Sequence, residues 1–508
     1  MFSGCLFYFA FAYLSIACGK IKGKKKGGEI LRKSGILLPV FSLSGNYGIG
    51  TLGKSAYNFA DFLSASGQSI WQILPLTPTS YGNSPYQSPS VFAGNPYFID
   101  PDILYSQGLI SKGDIEAFTL KGSESADYGF LYGTRLPLLK KAAEKISDSD
   151  RDYLSFCEEE SFWLEEFAVF MSLKEKNNMR SHRQWQYKSA EDIASLKEEI
   201  SVHCKIQYMF YSQWLKLKKY ANDKGVTIVG DLPIYPAEDS SDYYFSPHMF
   251  QKGKVAACPP DSFNACGQLW GNPVYDWQKH KESGYSWWKE RLKNALRLYD
   301  SIRIDHFRGF YEYYSTDEGS PATAGNWSEG PGLGFCRMVK ESFPFIDIIA
   351  EDLGFLTQET RKFFRESGFD GMMVLLFAFV ETDSEYLPHN HIKNSVVYTG
   401  THDTPTVLGW ICKSDSNSLC RAMDYLGAPS VYTLSDYFIR GAFSSVADRA
   451  IIPMQDWLKI GCDGRINTPG LAGKNWQWRI KEGSLTNNLS EKILSYTKIY
   501  NRIQEEKQ

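Results

Sequence analysis

Three acids, Asp305, Glu351 and Asp403, each stand where a short apolar run stops, and their company suggests what they do. Arg303 and Asp305 are two apart on a strand-like run and so share a face. A guanidinium beside Asp305 favours its charged form, which a carboxylate nucleophile needs. Glu351-Asp352 offers one carboxylate to each face of its strand, so one of the two looks into a site and the other caps or fixes a loop. His402-Asp403 supplies a third acid. Singly, each has a plain alternative: a buried ion pair, a loop anchor, a turn-stabilising Asp. Together they meet the needs of retaining glycoside chemistry, which uses a nucleophile and an acid/base about 5 Å apart. The oxocarbenium-like transition state also needs electrostatic support.

The elements that must position these acids are legible. The polar-ended runs are GVTIVGDLP (225–233), SIRIDHF (301–307), DIIAEDLG (347–354), VVYTGTHD (396–403) and AIIPMQD (450–456). Each has the length and β-branched content of a buried parallel strand. GILLPV (35–40), SIWQILP (69–75) and MMVLLFAF (372–379) bring the set to eight. Polar residues at the C-terminal ends of successive parallel strands are what a TIM-type barrel site requires. The expected fold is therefore α/β, a (β/α)8 TIM barrel over residues 31–508. Insertions are expected at about 102–222, helical, and at about 236–300, a loop-rich lid. The chain ends in a helical segment, so no C-terminal β-sandwich is expected.

Composition narrows the class. A net charge of −3 gives no basic field for nucleic acid. Aromatics make up 15% of the 508 residues, which suits flat sugar rings as well as a large core. The ten Cys are scattered without a C-x-x-C pair, as in a reduced cytoplasmic protein, and the eight His form no zinc motif. Gly48–Ser55 matches a phosphate-loop pattern, but Ser42–Tyr47 separates it from its strand, so a turn opening a helix is expected instead. Residues 1–30 form a leader with an apolar run, Phe2–Cys18, that no Lys or Arg precedes. A signal peptide, an uncleaved anchor and an untranslated segment before a start at Leu31 all stay open.

The motifs around these acids resemble the 4-α-glucanotransferases, the amylomaltases or disproportionating enzymes of glycoside hydrolase family 77. They include NYGIGTLG (46–53), SPYQSPSVFAGNPYFID (84–100), GQLWGNPVYDW (267–277), IRIDHFRGF (302–310), IIAEDLG (348–354), YTGTHD (398–403) and NWQWR (475–479). The resemblance implies Asp305 as nucleophile, Glu351 as acid/base and Asp403 as transition-state stabiliser. It places Arg303, His306 and His402 around the donor sugar, with Asp231 beside it. Tyr86, Asp261, Gln268, Trp270 and Asn467 would contact the glucan. It implies no metal or organic cofactor. The substrates would be maltooligosaccharides and starch- or glycogen-derived α-1,4-glucans, with glucose as an acceptor. Three positions depart from the family pattern: Pro39-Val40-Phe41, Thr404-Pro405 and Leu376.

Two further readings compete, an α-amylase-like hydrolase with water as acceptor and a glucan-binding barrel without catalysis. For the transferase, Glu351 must begin protonated. Asp305 and Asp403 are expected to raise its pKa while Arg303 holds that of Asp305 low.

Overall fold

Eight strands of the chain are buried on nearly every residue, which only a sheet covered on both faces allows. The computed structural model describes residues 32–503 apart from 81, 121, 261–264, 355 and 472. The twelve strands are β1 Lys33–Leu37, β2 Ile70–Gln72, β3 Thr227–Leu232, β4 Phe250–Cys258, β5 Gln268–Tyr275, β6 Ser301–Ile304, β7 Glu312–Asp317, β8 Asn326–Glu329, β9 Ile348–Ala350, β10 Gly371–Val374, β11 Ser395–Tyr398 and β12 Arg449–Pro453.

The larger sheet is parallel, in the order β10-β11-β12-β1-β2-β3-β6-β9. These are the eight strands expected from the sequence. A parallel bridge between Ile349 and Asp370 brings β9 back to β10 and closes the barrel. Helices Lys54–Ala65, Ser286–Leu298, Leu333–Ser342, Gln358–Ser367 and Leu434–Ser444 precede successive strands on the outside. Their buried faces carry the spaced apolar residues of amphipathic helices, such as Trp288, Leu292 and Ala295. The helix Asn487–Ile499 packs back on Lys54–Ala65, completing the outer layer near the chain's last described residues.

The phosphate-loop pattern forms a turn into the helix Lys54–Ala65. That helix's N-terminus faces a carboxylate of the chain itself: a Cβ on Gly53 would lie 1.9 Å from Asp100 Oδ2. Thr51 Oγ1 donates to the same oxygen at 2.6 Å.

Between β2 and β3 the chain runs through helices that add no strand to the barrel, among them Tyr128–Ala143, Leu164–Lys176 and the long Lys197–Asp223. The stretch expected to be loop-rich, about 236–300, is more ordered than composition suggested. It contains β4 and β5 and the helices Trp277–Glu282 and Ser286–Leu298. β4 and β5 join β7 and β8 in a second, antiparallel sheet of order β5-β4-β7-β8. The leader and Asp261 lie outside the described residues.

Among the described residues no helix is long and apolar enough to cross a membrane.

Candidate functional site

The ends of β3, β6, β9 and β11 converge on one buried cation. Arg303, on β6 and 2% exposed, sends Nη1 to both oxygens of Asp231 at 2.7 Å each. Its Nη2 lies 3.1 Å from Asp305 Oδ1 and 2.9 Å from Glu351 Oε2. Burial disfavours the charged guanidinium, but Asp231, Glu351 and Asp305 outweigh it and keep Arg303 cationic.

The turn after β6 completes this arrangement. His306 adopts left-handed backbone angles, φ 47 and ψ 49, uncommon for a residue with a Cβ. That conformation directs its N–H to Glu351 Oε2 at 2.6 Å. Burial holds the His306 imidazole neutral, its pKa lowered to about 4.

The two carboxyls are shifted in the opposite sense to the one expected. Burial first, then the neighbouring Glu351 carboxylate, raise Asp305 well above the usual carboxylate range, against the pull of Arg303. Burial acts on Glu351 in the same sense, but Arg303, a hydrogen bond from Asp305 and the His306 N–H overcome it and lower its pKa. Glu351 was expected to be the raised member, whereas the surroundings push Asp305 up and Glu351 down. The reason is geometric: Arg303 Nη2 is shared between both carboxylates, and the backbone donor of His306 goes to Glu351. The two carboxyls, joined by a hydrogen bond, titrate as a pair.

A second group covers the pocket from the β11 side. The Tyr86 hydroxyl donates to Asp231 Oδ2 at 2.7 Å and lies 3.1 Å from His402 Nε2. With the hydroxyl proton on the carboxylate, His402 Nε2–H donates to Tyr86. The two rings stack at 5.4 Å with 11° between planes. His402 is buried, while Asp403 keeps 40% of its side chain exposed at the mouth. Asn467 fixes this corner, its side-chain amide donating to Asp403 Oδ1 at 2.6 Å and its backbone N–H to His402 O at 3.0 Å. Trp270, on β5, stands edge-on to His306 with ring centroids 4.8 Å apart, and Gln268 Oε1 accepts from its indole N–H at 3.3 Å.

Two partly exposed carboxylates thus meet on one buried, fixed cation. The comparisons with known proteins decide the lineage. The model of the 4-alpha-glucanotransferase family matches residues 38–486. The chain belongs to the 4-alpha-glucanotransferase family. It is 45% identical over 483 residues to the 4-alpha-glucanotransferase of Clostridium butyricum, covering 91% of this chain and 99% of that one. To that of Streptococcus pneumoniae it is 45% identical over 496 residues, covering 93% and 98%. An amylomaltase from Streptococcus agalactiae, solved in complex with acarbose, superposes with a TM-score of 0.90 at 38% identity. That match covers 93% of this chain and all of that one.

Of the residues the sequence put forward, Asp305, Glu351, Asp403, Arg303, His306, His402, Asp231, Tyr86 and Asn467 meet in this 4-alpha-glucanotransferase fold through the contacts above. Trp270 and Gln268 stand beside them on the second sheet. Two contributors were missed. Arg465 donates to Asp403 O at 2.5 Å and to Asn467 O at 2.7 Å, bracing the acid's backbone. Trp476 packs on Tyr86 and His402, with ring centroids at 5.7 and 5.9 Å. Its left-handed φ of 65 marks it as a residue held in place by its surroundings.

Proposed function

We propose that this protein is a 4-α-glucanotransferase that moves a segment of an α-1,4-glucan to the 4-hydroxyl of glucose or of another glucan by a retaining double displacement. The single observation that carries the chemistry is the meeting of the Asp305 and Glu351 carboxyls on one guanidinium nitrogen of Arg303. Membership of the family, and the acarbose complex of the streptococcal amylomaltase, support α-glucans as the substrate class.

The pair starts with its proton on Asp305, and the hydrogen bond between the two carboxyls carries it to Glu351 as the donor sugar seats. Glu351 then gives that proton to the glycosidic oxygen while ionised Asp305 attacks the anomeric carbon. The C1–O bond breaks and a β-glucosyl ester forms on Asp305. Glu351, now a carboxylate, takes the proton of the acceptor's 4-hydroxyl, whose oxygen displaces Asp305 and restores the α configuration. Asp403, presented by Asn467 and Arg465, stabilises the positive charge developing on the ring. Tyr86, Asp231 and His402 bind the donor unit as one hydrogen-bonded group. Trp270 offers its ring to the acceptor side, and Asp261 is assigned a contact with the glucan by resemblance alone. Free thiols at all eight described cysteines support a reduced, cytoplasmic setting.

Maltotriose supplied alone tests this reading. Chromatography is expected to show glucose together with maltopentaose and longer α-1,4 chains. Glucose and maltose with no chain longer than the donor would favour the hydrolase instead.

A further inference from the structure

We propose that Asp352 is a positioning residue that sets Glu351 at the barrel mouth by completing the β9–β10 seam. The inference rests on the assignment of Glu351 as acid/base.

This seam is where the barrel closes, and its backbone ladder is short. Asp370 N–H donates to Ile348 O at 3.2 Å and Ala350 N–H donates to Asp370 O at 2.8 Å. In a regular parallel ladder the next bond would run from Met372 N–H to Ala350 O. Here Met372 N–H donates to Asp352 Oδ1 at 2.8 Å. A side chain thus takes over from the main chain one residue beyond Glu351. The strand β9 can leave its neighbour at that point, and the sheet still has its donor satisfied.

Room for this exchange comes from Gly371. A Cβ there would stand 2.4 Å from Asp352 Oδ2 and 3.2 Å from its Cγ. The opposite end of the seam is pinned by charge: Arg449 bridges Asp347 at 2.8 Å and Asp370 at 2.5 Å. On its other side Glu351 is held by main chain, its N–H donating to Ile304 O at 3.1 Å. Asp352 is the anchor on the β10 side, and its carboxyl is engaged across the seam rather than with Arg303.

The bond needs an acceptor oxygen, not a charge. Burial pushes the Asp352 carboxyl up to about 7, with the Met372 N–H opposing, yet a protonated carboxyl or an amide still presents a carbonyl oxygen. The conservative amide is therefore expected to serve, and the methyl of alanine is not.

The test uses the full chain with Asp352→Ala, Asp352→Asn and Gly371→Ala. Each is assayed on maltotriose, whose leaving group needs protonation. Each is also assayed for burst release of fluoride from an α-maltosyl fluoride, which reports glycosylation with little need for an acid. A misplaced acid of the order of 1 Å costs ~100-fold in rate. Asp352→Ala is expected to lose about that much kcat on maltotriose with KM changed less than about threefold, and to keep its fluoride burst within the same narrow margin. Asp352→Asn is expected to recover nearly all of the lost kcat. Gly371→Ala, which displaces the carboxyl without removing it, is expected to show the same split and serves if Asp352→Ala does not fold. Equal losses on both donors, no loss on either, or failure of the amide to rescue would each overturn the proposal. Glu351→Gln is the control: if it loses both donors equally, the acid/base assignment fails, and that result comes from a different variant.

Discussion

Asp231 grips Arg303 Nη1 through both carboxylate oxygens at 2.7 Å, so the cation that faces Asp305 and Glu351 already has one carboxylate partner. That relationship explains why Asp305 and Glu351 keep a proton despite their shared contact with a guanidinium. A free Arg303 would favour ionisation of both; one bound to Asp231 supports ionisation of one.

The consequence is a pH shift with a definite sign. Asp231 is among the groups that raise Asp305. Removing its charge in Asp231→Asn lowers the pair's affinity for the shared proton, so that proton leaves at lower pH. The basic limb of the kcat/KM profile is expected to move down by roughly one unit. A basic limb that stays put or moves up would contradict the shared-proton account.

Trp270 bears on the choice between sugar and water as acceptor. Its ring lies 4.8 Å from that of His306 at 88° and is only partly buried, which places an aromatic surface beside the site for a glucose unit. Trp270→Ala is expected to raise the ratio of hydrolysis to transfer several-fold, with the melting temperature nearly unchanged. A constant ratio with a melting temperature several degrees lower would make Trp270 a packing residue.

Asp456 is expected to show itself in stability rather than rate. It is buried at the end of β12, accepting from Thr399 Oγ1 at 2.5 Å and from Val407 N–H at 2.8 Å. Burial raises its pKa to about 6, against those two hydrogen bonds. Because the folded value lies above the unfolded one, this group's favourable contribution is complete at low pH and is lost as pH rises through about 6. Asp456→Asn removes that dependence. Its melting temperature is expected to lie near the wild type's below about pH 4 and a few degrees above it at pH 8. A difference that is constant across that range, measured by calorimetry, would contradict the raised value.

Much of this was legible in the chain. The eight barrel strands announced themselves because each is a run of apolar, largely β-branched residues buried on both faces, such as Val396-Val397-Tyr398. The acids stood out because each ends such a run. The second sheet did not stand out, since β8 is largely exposed and β4 carries Lys252-Gly253-Lys254 at its centre. Glycines and prolines around Gly267 and Pro273 looked like loop punctuation there. The sense in which the two carboxyls shift was also hidden. It depends on which carboxylate receives the His306 N–H, and that follows from a left-handed turn at a residue type that rarely signals one. Trp476 lay within the NWQWR motif but was given no role: in a chain so rich in aromatics, one ring that covers a site reads like many that fill a core.

The central claim is that Asp305 becomes covalently glycosylated while Glu351 handles the proton. Glu351→Gln should still be glycosylated by an α-maltosyl fluoride and then deglycosylate slowly, because no base remains to activate the acceptor. Rapid quenching, trypsin digestion and mass spectrometry are expected to find one maltosyl unit on the peptide Ile304–Arg308, attached at Asp305. An unmodified Ile304–Arg308 peptide while fluoride is released, or a sugar carried on another acid, would contradict the account.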